Sequence, residues 1–270
     1  MQATGLGLAV PAKAIKPIVA PPRRHPFVPA DGLVLVETEL SRRRVIPGSP
    51  VPLAIFGEES AQRLRIRLAD TDGHRSAASY LVRKMYGWRG YQTDASPQPN
   101  ANVTFVASDE VKTLGTITVG FDSGDGVSAR VLYPEYVDHL REKDARLCEF
   151  TRLAVDRNEH SKELLAMMFH VAYMYARRLH GCTDLLVEVN PRHAAFYRRV
   201  LGFQQAGPER ICERVQAPAI LLWLPLEHAE RQIARYGGNK EMTRLTRSLY
   251  PWCFSPAEEA GITRRLVTIN

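Results

Sequence analysis

Glu149 and Arg152 stand three residues apart in the run LCEFTRLAVD, residues 147–156, where β-rich alternation predicts a strand. A carboxylate on a strand near the centre of a sheet must be paired, hydrated or raised in pKa. Such a group can act as a general base, or it can be half of a structural ion pair with Arg83 or Arg152. Arg152 in turn can clamp a substrate carboxylate with two parallel hydrogen bonds, or simply anchor the sheet. Strict strand alternation sends the two side chains to opposite faces; a bulge between them would reset the phase and unite them.

Asn190 and His193 follow a second apolar strand, residues 184–189, at the end where ligand sites of α/β sheets concentrate. Both are candidates for substrate binding, although capping or positioning is the plainer role for His193. Upstream, LVRKMYGWRGY supplies Arg83, Tyr86 and Trp88, which can line a pocket or belong to the core. His160 reads as a surface residue and His170 as a helix-packing one. Cys148, Cys182, Cys212 and Cys253 show neither a CxxC pair nor a Cys/His spacing suited to zinc. They read as buried free thiols in a reducing cytoplasm, with no metal site.

Several elements must position these groups. Residues 63–68 alternate basic and apolar residues, as a half-exposed strand does, and 72–86 reads as a helix capped by Asp70, Thr71 or Asp72. Residues 102–107 and 114–121 are strands. A third short strand is expected at 127–132 and a short helix at 134–143. After 147–155 comes a long helix from about 158–161 to 180, with Leu164, Met168, Val171, Tyr175 and Leu179 on one stripe and Met167 and Phe169 widening it. Gly181 closes it. The strand at 184–189, a helix at 191–201 ended by Gly202, and a strand at 219–224 follow. Residues 227–250 read as helix and the remainder as a tail. Adjacent strands early and strand–helix alternation later indicate a mixed α/β (α+β) sheet.

The 270 residues are 45% hydrophobic and 24% charged, which excludes wholesale disorder and fibrous structure. The longest apolar run, 217–226, is interrupted by Pro218 and Pro225 and falls short of the roughly 18–20 residues of a membrane span. The N-terminus lacks the basic region of a secretory signal. The net charge of +7 is uneven: residues 1–50 hold seven basic and three acidic residues, whereas 51–226 are nearly balanced. Three segments follow: a basic, Pro-rich extension over 1–57, a core over 58–226 and a helical extension over 227–270.

The order strand, long helix, strand ending VEVNP, then a helix carrying AAFYRRVLGF resembles the GNAT N-acyltransferase superfamily over residues 60–225. The resemblance implies two parallel strands that splay into a V holding the pantetheine arm of an acyl thioester. Strands at this place in the superfamily are often bulged, which would let Glu149 and Arg152 share a site. It also implies that Tyr197 protonates the departing thiolate or positions the thioester, unless it is a core aromatic. Acetyl-CoA-using members carry Q/R-x-x-G-x-G/A at the start of the long helix. Here that stretch is Arg157-Asn-Glu-His-Ser-Lys162, with His160 and Lys162 at the glycine positions and Glu159 adding negative charge. A pyrophosphate would be cradled poorly. Arg157, Ser161 and Lys162 suit a single phosphate on a phosphopantetheine arm better.

Glu149-x-x-Arg152-x-x-Val155-Asp156 and the MYGWRGY block are also similar to acyl-homoserine-lactone synthases. The acidic cluster that those enzymes use for S-adenosylmethionine is missing, since QTDASPQPN offers only Asp94. The blocks MYGWRGY, LYPEYVDHLRE, LCEFTRLAVD and VNPRHAAFYRRVLGF resemble the N-acyl amino acid synthase family (FeeM-type). That resemblance implies transfer of a medium or long acyl chain from an acyl carrier protein to the α-amine of an amino acid, with no tightly bound cofactor. Glu149 and Tyr197 would be catalytic; Arg83, Tyr86, Trp88, Arg152, Asn190 and His193 would bind substrate. The product would be amphiphilic, so peripheral membrane contact is compatible with it. An acetyl-CoA-dependent enzyme and a non-catalytic ligand- or nucleic-acid-binding module are the alternatives. The balanced middle of the chain and the lack of a nucleic-acid motif disfavour nucleic acid, and an acidic carrier protein is the partner that the basic surplus best matches.

Overall fold

The computed structural model describes residues 33–41, 61–91, 102–123, 126–156 and 162–269. The Pro-rich arm, the phosphate-contact candidates Arg157 and Ser161, and Asp94 lie outside these residues. Among the described residues nine strands form the sheet system: β1 (Val34–Ser41), β2 (Ala61–Leu68), β3 (Val103–Ser108), β4 (Thr113–Phe121), β5 (Leu147–Val155), β6 (Asp184–Val189), β7 (Gln204–Gln205), β8 (Arg210–Cys212) and β9 (Ala217–Pro225). Their spatial order is β1-β2-β3-β4-β5-β6-β9-β7, with β8 attached to β9. Every pairing is antiparallel except β5 with β6. Chains that alternate strand and helix only in their second half are expected to build this kind of mixed sheet.

Alternation along β5 shows how the layers form. Leu147 packs with Leu186, Leu221, Val127, Tyr133 and Val137, whereas Cys148 and Phe150 enter the main core on the other face. The first face carries α1 (Asp72–Gly87), α2 (Ala129–Leu132) and α3 (Pro134–Arg141). The second carries α4 (Lys162–Tyr173), a π-helical continuation (Met174–Leu179), α5 (Pro191–Leu201), α6 (Leu226–Tyr236) and α7 (Pro256–Ile269). α4 is buried along nearly its whole length, as its broad apolar stripe requires. No described helix is long and apolar enough to cross a membrane.

The local caps agree with the sequence. Thr71 accepts the His74 N–H at 3.2 Å to start α1, Asn190 accepts the Arg192 N–H at 3.2 Å to start α5, and Gly202 ends α5 at φ +82°. All four cysteines are buried and free.

Two expectations are corrected. Residues 127–132 form no strand; Ala129–Leu132 is a helical turn, because a carboxylate distant in sequence takes its first N–H groups. The segment after 236 is neither a continuous helix nor a tail. Short 3₁₀ turns at Lys240–Arg244 and Tyr250–Trp252 lead into α7, whose Ile262 and Leu266 enter the core. His170, fully buried on α4, accepts the Phe254 N–H through Nδ1 at 3.1 Å, and its Nε2 lies 3.5 Å from the Glu259 carboxylate. Arg265 donates to the Leu35 carbonyl at 2.7 Å, tying α7 to β1.

Candidate active site

β5 and β6 run as a parallel pair only from Leu147–Asp184 to Glu149–Leu186. Beyond that point the two strands continue without pairing to each other, so they open into a V with Glu149 at its apex. From Phe150 onward, the β5 edge facing β6 has no ladder partner on β6. On its other edge β5 stays paired with β4, but Thr118 pairs with Thr151 and Thr116 with Ala154. Arg152 and Leu153 therefore share the one position opposite Ile117, which defines a β-bulge. Arg152 takes a left-handed backbone at φ +51°, costing about 1–2 kcal/mol for a residue with a Cβ.

The bulge resets the alternation. Leu153 packs into the main core, while Ala154 packs with Leu81, Val82 and Met85 of α1. Arg152 therefore lies on the α1 side, the side that Glu149 already occupies through α2. There it lines a cavity of about 320 Å³ together with Asn102, Thr104, Thr116, Thr118 and Val82. The cavity is floored by strands and roofed by Ala78, Ser79 and Val82 of α1. Lys84 of α1 holds Asp156, just past β5, at 2.9 Å and so fixes the roof to the strand end.

Glu149 is 4% exposed. Its Oε1 accepts the Ser128 N–H at 2.9 Å and the Ser128 hydroxyl at 2.5 Å, and its Oε2 accepts the Ala129 N–H at 3.1 Å. A carboxylate has about four lone-pair positions, so Oε1 is saturated and Oε2 keeps one for a further donor. Gly120 sits opposite on β4, where an added Cβ would come within 2.9 Å of Asn102 Oδ1 and 3.1 Å of Glu149 Oε1. Neither Arg83 nor Arg152 is ion-paired with Glu149 among the described residues.

Tyr86 packs edge-on against Tyr91, and burial pushes its pKa up to about 12, with the Arg152 and Arg89 charges opposing. Tyr197 lies between Phe196 and Phe203, and burial holds its phenol firmly protonated. The Arg89 charge opposes this shift. His193 Nε2 accepts from Arg89 Nη1 at 3.1 Å. Burial and the Arg89 and Arg192 charges lower its pKa, which keeps the ring neutral. Asn190 is committed to structure: it caps α5 and donates to the Pro218 carbonyl at 3.0 Å. Trp88 is 58% exposed at the end of α1, Arg83 is exposed on α1 and is not among the residues lining the cavity, and Lys162 is exposed at the start of α4.

Sequence reasoning did not single out four residues here. Ser128 and Thr116 carry no local signal, because their importance arises from tertiary neighbours; Thr116 is fully buried and its Oγ1 has no hydrogen-bond partner. Asn102 borders both the cavity and Glu149. Glu188 of β6 is a second carboxylate beyond the apex, and its alternation with Leu186 was the available signal. Burial raises its pKa against the opposing charge of Arg214, with Glu149 raising it further.

A splayed parallel pair, a bulge on the diverging strand and a partly open, largely apolar cavity on one face define the candidate site. The sequence profile of the N-acyl amino acid synthase FeeM family matches residues 77–225, which spans β3 to β9 and most of α1. Among solved structures, FeeM, an N-acyl amino acid synthase from uncultured soil microbes, superposes with a TM-score of 0.58 at 27% identity, covering 62% of this chain and 93% of that one. The acyl-homoserine-lactone synthase LasI superposes at a TM-score of 0.43 and 12% identity (61% and 91% covered), and an N-acetyltransferase from Staphylococcus aureus at 0.44 and 13% (61% and 98%). No curated protein matches the chain. The fold is that of FeeM, and the chain belongs to the N-acyl amino acid synthase family of FeeM type.

Proposed function

We propose that this acyltransferase moves a medium or long acyl chain from the phosphopantetheine thioester of an acyl carrier protein to the α-amine of an amino acid. The observation that carries the reading is the V between β5 and β6 with its bulge at Arg152. The unpaired β5 edge can pair with an amide-bearing pantetheine arm and offer N–H groups to the oxyanion of the tetrahedral intermediate. The attacking amine gives up its proton to the free lone pair of Glu149 Oε2, directly or through one water. The amine nitrogen bonds to the carbonyl carbon, the C–S bond breaks, and the electron pair leaves on sulfur.

Tyr197 serves as a hydrogen-bond donor to that sulfur. Its raised pKa disfavours full proton transfer, because an ordinary thiol has a pKa of about 8.5 and leaves as a thiolate readily. Tyr86 and Trp88 line the approach. Carrier protein is favoured over coenzyme A by the sequence at 157–162, where the glycines of a pyrophosphate cradle are replaced and Arg157, Ser161 and Lys162 remain for one phosphate.

Mass spectrometry of lipid extracts from an expressing host tests this reading. The wild type should accumulate an acylated amino acid that the Glu149→Gln strain lacks, and purified protein should turn over acyl carrier protein thioester faster than acetyl-CoA. Efficient use of acetyl-CoA would favour a small-acyl transferase instead, and no acyl amide in either strain would overturn the proposal.

A further inference from the structure

A row of three residues crosses the sheet at the apex of the V. Gly120 on β4 is paired with Glu149 on β5, and Asn102 precedes Val103, the partner of Val119, which puts it on the other side of Gly120. A glycine inside a strand marks a place where other groups come close, and here two side chains use the space. A Cβ at position 120 would stand 2.9 Å from Asn102 Oδ1 and 3.1 Å from Glu149 Oε1, so these oxygens are at most 6.0 Å apart. Asn102 also lines the α1-side cavity, which Glu149 does not, and so links that cavity to the carboxylate. Among the described residues no partner holds its side chain, whereas Thr104 and Thr118 beside it bond each other at 2.8 Å. Ser79, another polar residue of the cavity, belongs to the α1 roof.

We infer that Asn102 Oδ1 receives one N–H of the acceptor nitrogen and holds it beside Glu149, which makes Asn102 a further catalytic residue and restricts the acceptor to primary amines. The inference rests on the proposed acyl transfer and deepens it at the same site. A hydrogen-bonded nitrogen stands about 2.7–3.2 Å from each acceptor, so one nitrogen between the two side chains reaches both. The primary amine arrives as an ammonium with three protons. One passes to Glu149 Oε2, directly or through one water. The lone pair that it uncovers attacks the carbonyl carbon, and the C–S electrons leave on sulfur. A second proton leaves nitrogen as the amide forms and passes through solvent to the thiolate. The third stays on nitrogen throughout, becomes the amide N–H, and is the one that Asn102 holds. A secondary amine loses both of its protons on the way to a tertiary amide. Nothing then remains for Asn102 to accept, and the extra substituent meets the asparagine side chain instead.

The test uses purified full-length protein, a fixed acyl carrier protein thioester, and alanine, leucine and tyrosine each beside its N-methyl counterpart. Wild type should prefer every primary amine by about tenfold or more in kcat/KM. Asn102→Ala should lower kcat/KM for the primary amines about tenfold, the worth of a hydrogen bond to a charged group. It should change the N-methyl acceptors less than about threefold and leave the donor KM alone. The preference is a ratio taken on one preparation, so partial unfolding of a variant does not alter it. Asn102→Asp keeps an acceptor oxygen and adds a charge. It should keep the preference, and the acid limb of its pH profile should move to higher pH, because a second carboxylate this near disfavours ionisation of the first. The inference is overturned if Asn102→Ala keeps the wild-type preference, if it shifts the donor KM, or if the Asn102→Asp profile coincides with that of wild type. Wild type that acylates primary and secondary amines equally overturns it too, whereas wild type that forms no acyl amide with any acceptor defeats the acyl-transfer reading.

Discussion

Glu149 of β5 closes the first turn of α2 from twenty residues away, binding the backbone of both Ser128 and Ala129 as well as the Ser128 hydroxyl. One side chain thus fixes the helix over the V and is itself fixed at the apex. In Glu149→Gln, the amide NH₂ would face an N–H group on at least one of these contacts. We expect a loss of about 2–3 kcal/mol from the buried donors left unpaired, read by urea denaturation, together with loss of acyl transfer. Ser128→Ala removes only one donor and should cost about 1 kcal/mol while leaving measurable turnover. If both variants were as stable as wild type, the carboxylate would not be a structural keystone.

Gly120 has the opposite significance. A methyl group there would approach Asn102 Oδ1 and the Glu149 side chain within about 3 Å. Gly120→Ala should displace Glu149 and lower kcat at least tenfold, with a smaller loss of stability of roughly 1–3 kcal/mol from overpacking. An alanine variant with wild-type kcat would separate the position of Glu149 from catalysis.

Tyr197→Phe tests the state of the departing sulfur. If the phenol only donates a hydrogen bond, the variant should lose about three- to tenfold in kcat, the worth of roughly 1 kcal/mol. The deficit should vanish with a thioester of a more acidic thiol, which needs no help to leave. An undiminished deficit with that substrate would assign Tyr197 to positioning.

His170 makes stability pH-dependent. Its Nδ1 accepts the Phe254 N–H, and burial lowers its pKa against the weaker pull of Glu259. The unfolded chain takes up its proton near pH 6.5, whereas the folded chain does so only at lower pH. The stabilisation is therefore complete above about 6.5 and is lost as pH falls toward the folded value, by at most about 1.4 kcal/mol per pH unit. Hydrogen exchange should report this first in residues 250–269, and His170→Asn should flatten the slope. An unchanged slope in that variant would locate the titration elsewhere.

The parts of the fold that local chemistry determines are legible in the sequence. β5 spans the predicted 147–155, Thr71 and Asn190 cap α1 and α5, and Gly202 ends α5. The phase of Arg152 could be stated only as a condition, because a bulge depends on pairing with β4. Residues 127–132 read as a strand from their β-branched and apolar content, and only Glu149 converts them into a helix. Pro256–Ile269 escaped notice because its apolar positions are sparse and its partners, Leu35 and His170, are remote in sequence. The Thr116 hydroxyl is the extreme case: a threonine in a buried strand is ordinary until its neighbours are known to offer it nothing.

The backbone at Arg152 separates stability from function. The left-handed conformation at φ +51° favours glycine, yet an arginine occupies it. Arg152→Gly should relieve the strain and Arg152→Ala should keep it, with neither carrying a guanidinium. The glycine variant should then be more stable than the alanine variant by about 1 kcal/mol, read by thermal or urea unfolding, and both should raise the KM for the amino-acid acceptor equally. This comparison cancels the lost side chain and leaves the backbone alone. Equal stability of the two would mean that the bulge relaxes without strain, and the arginine would then need no functional reason to stand there.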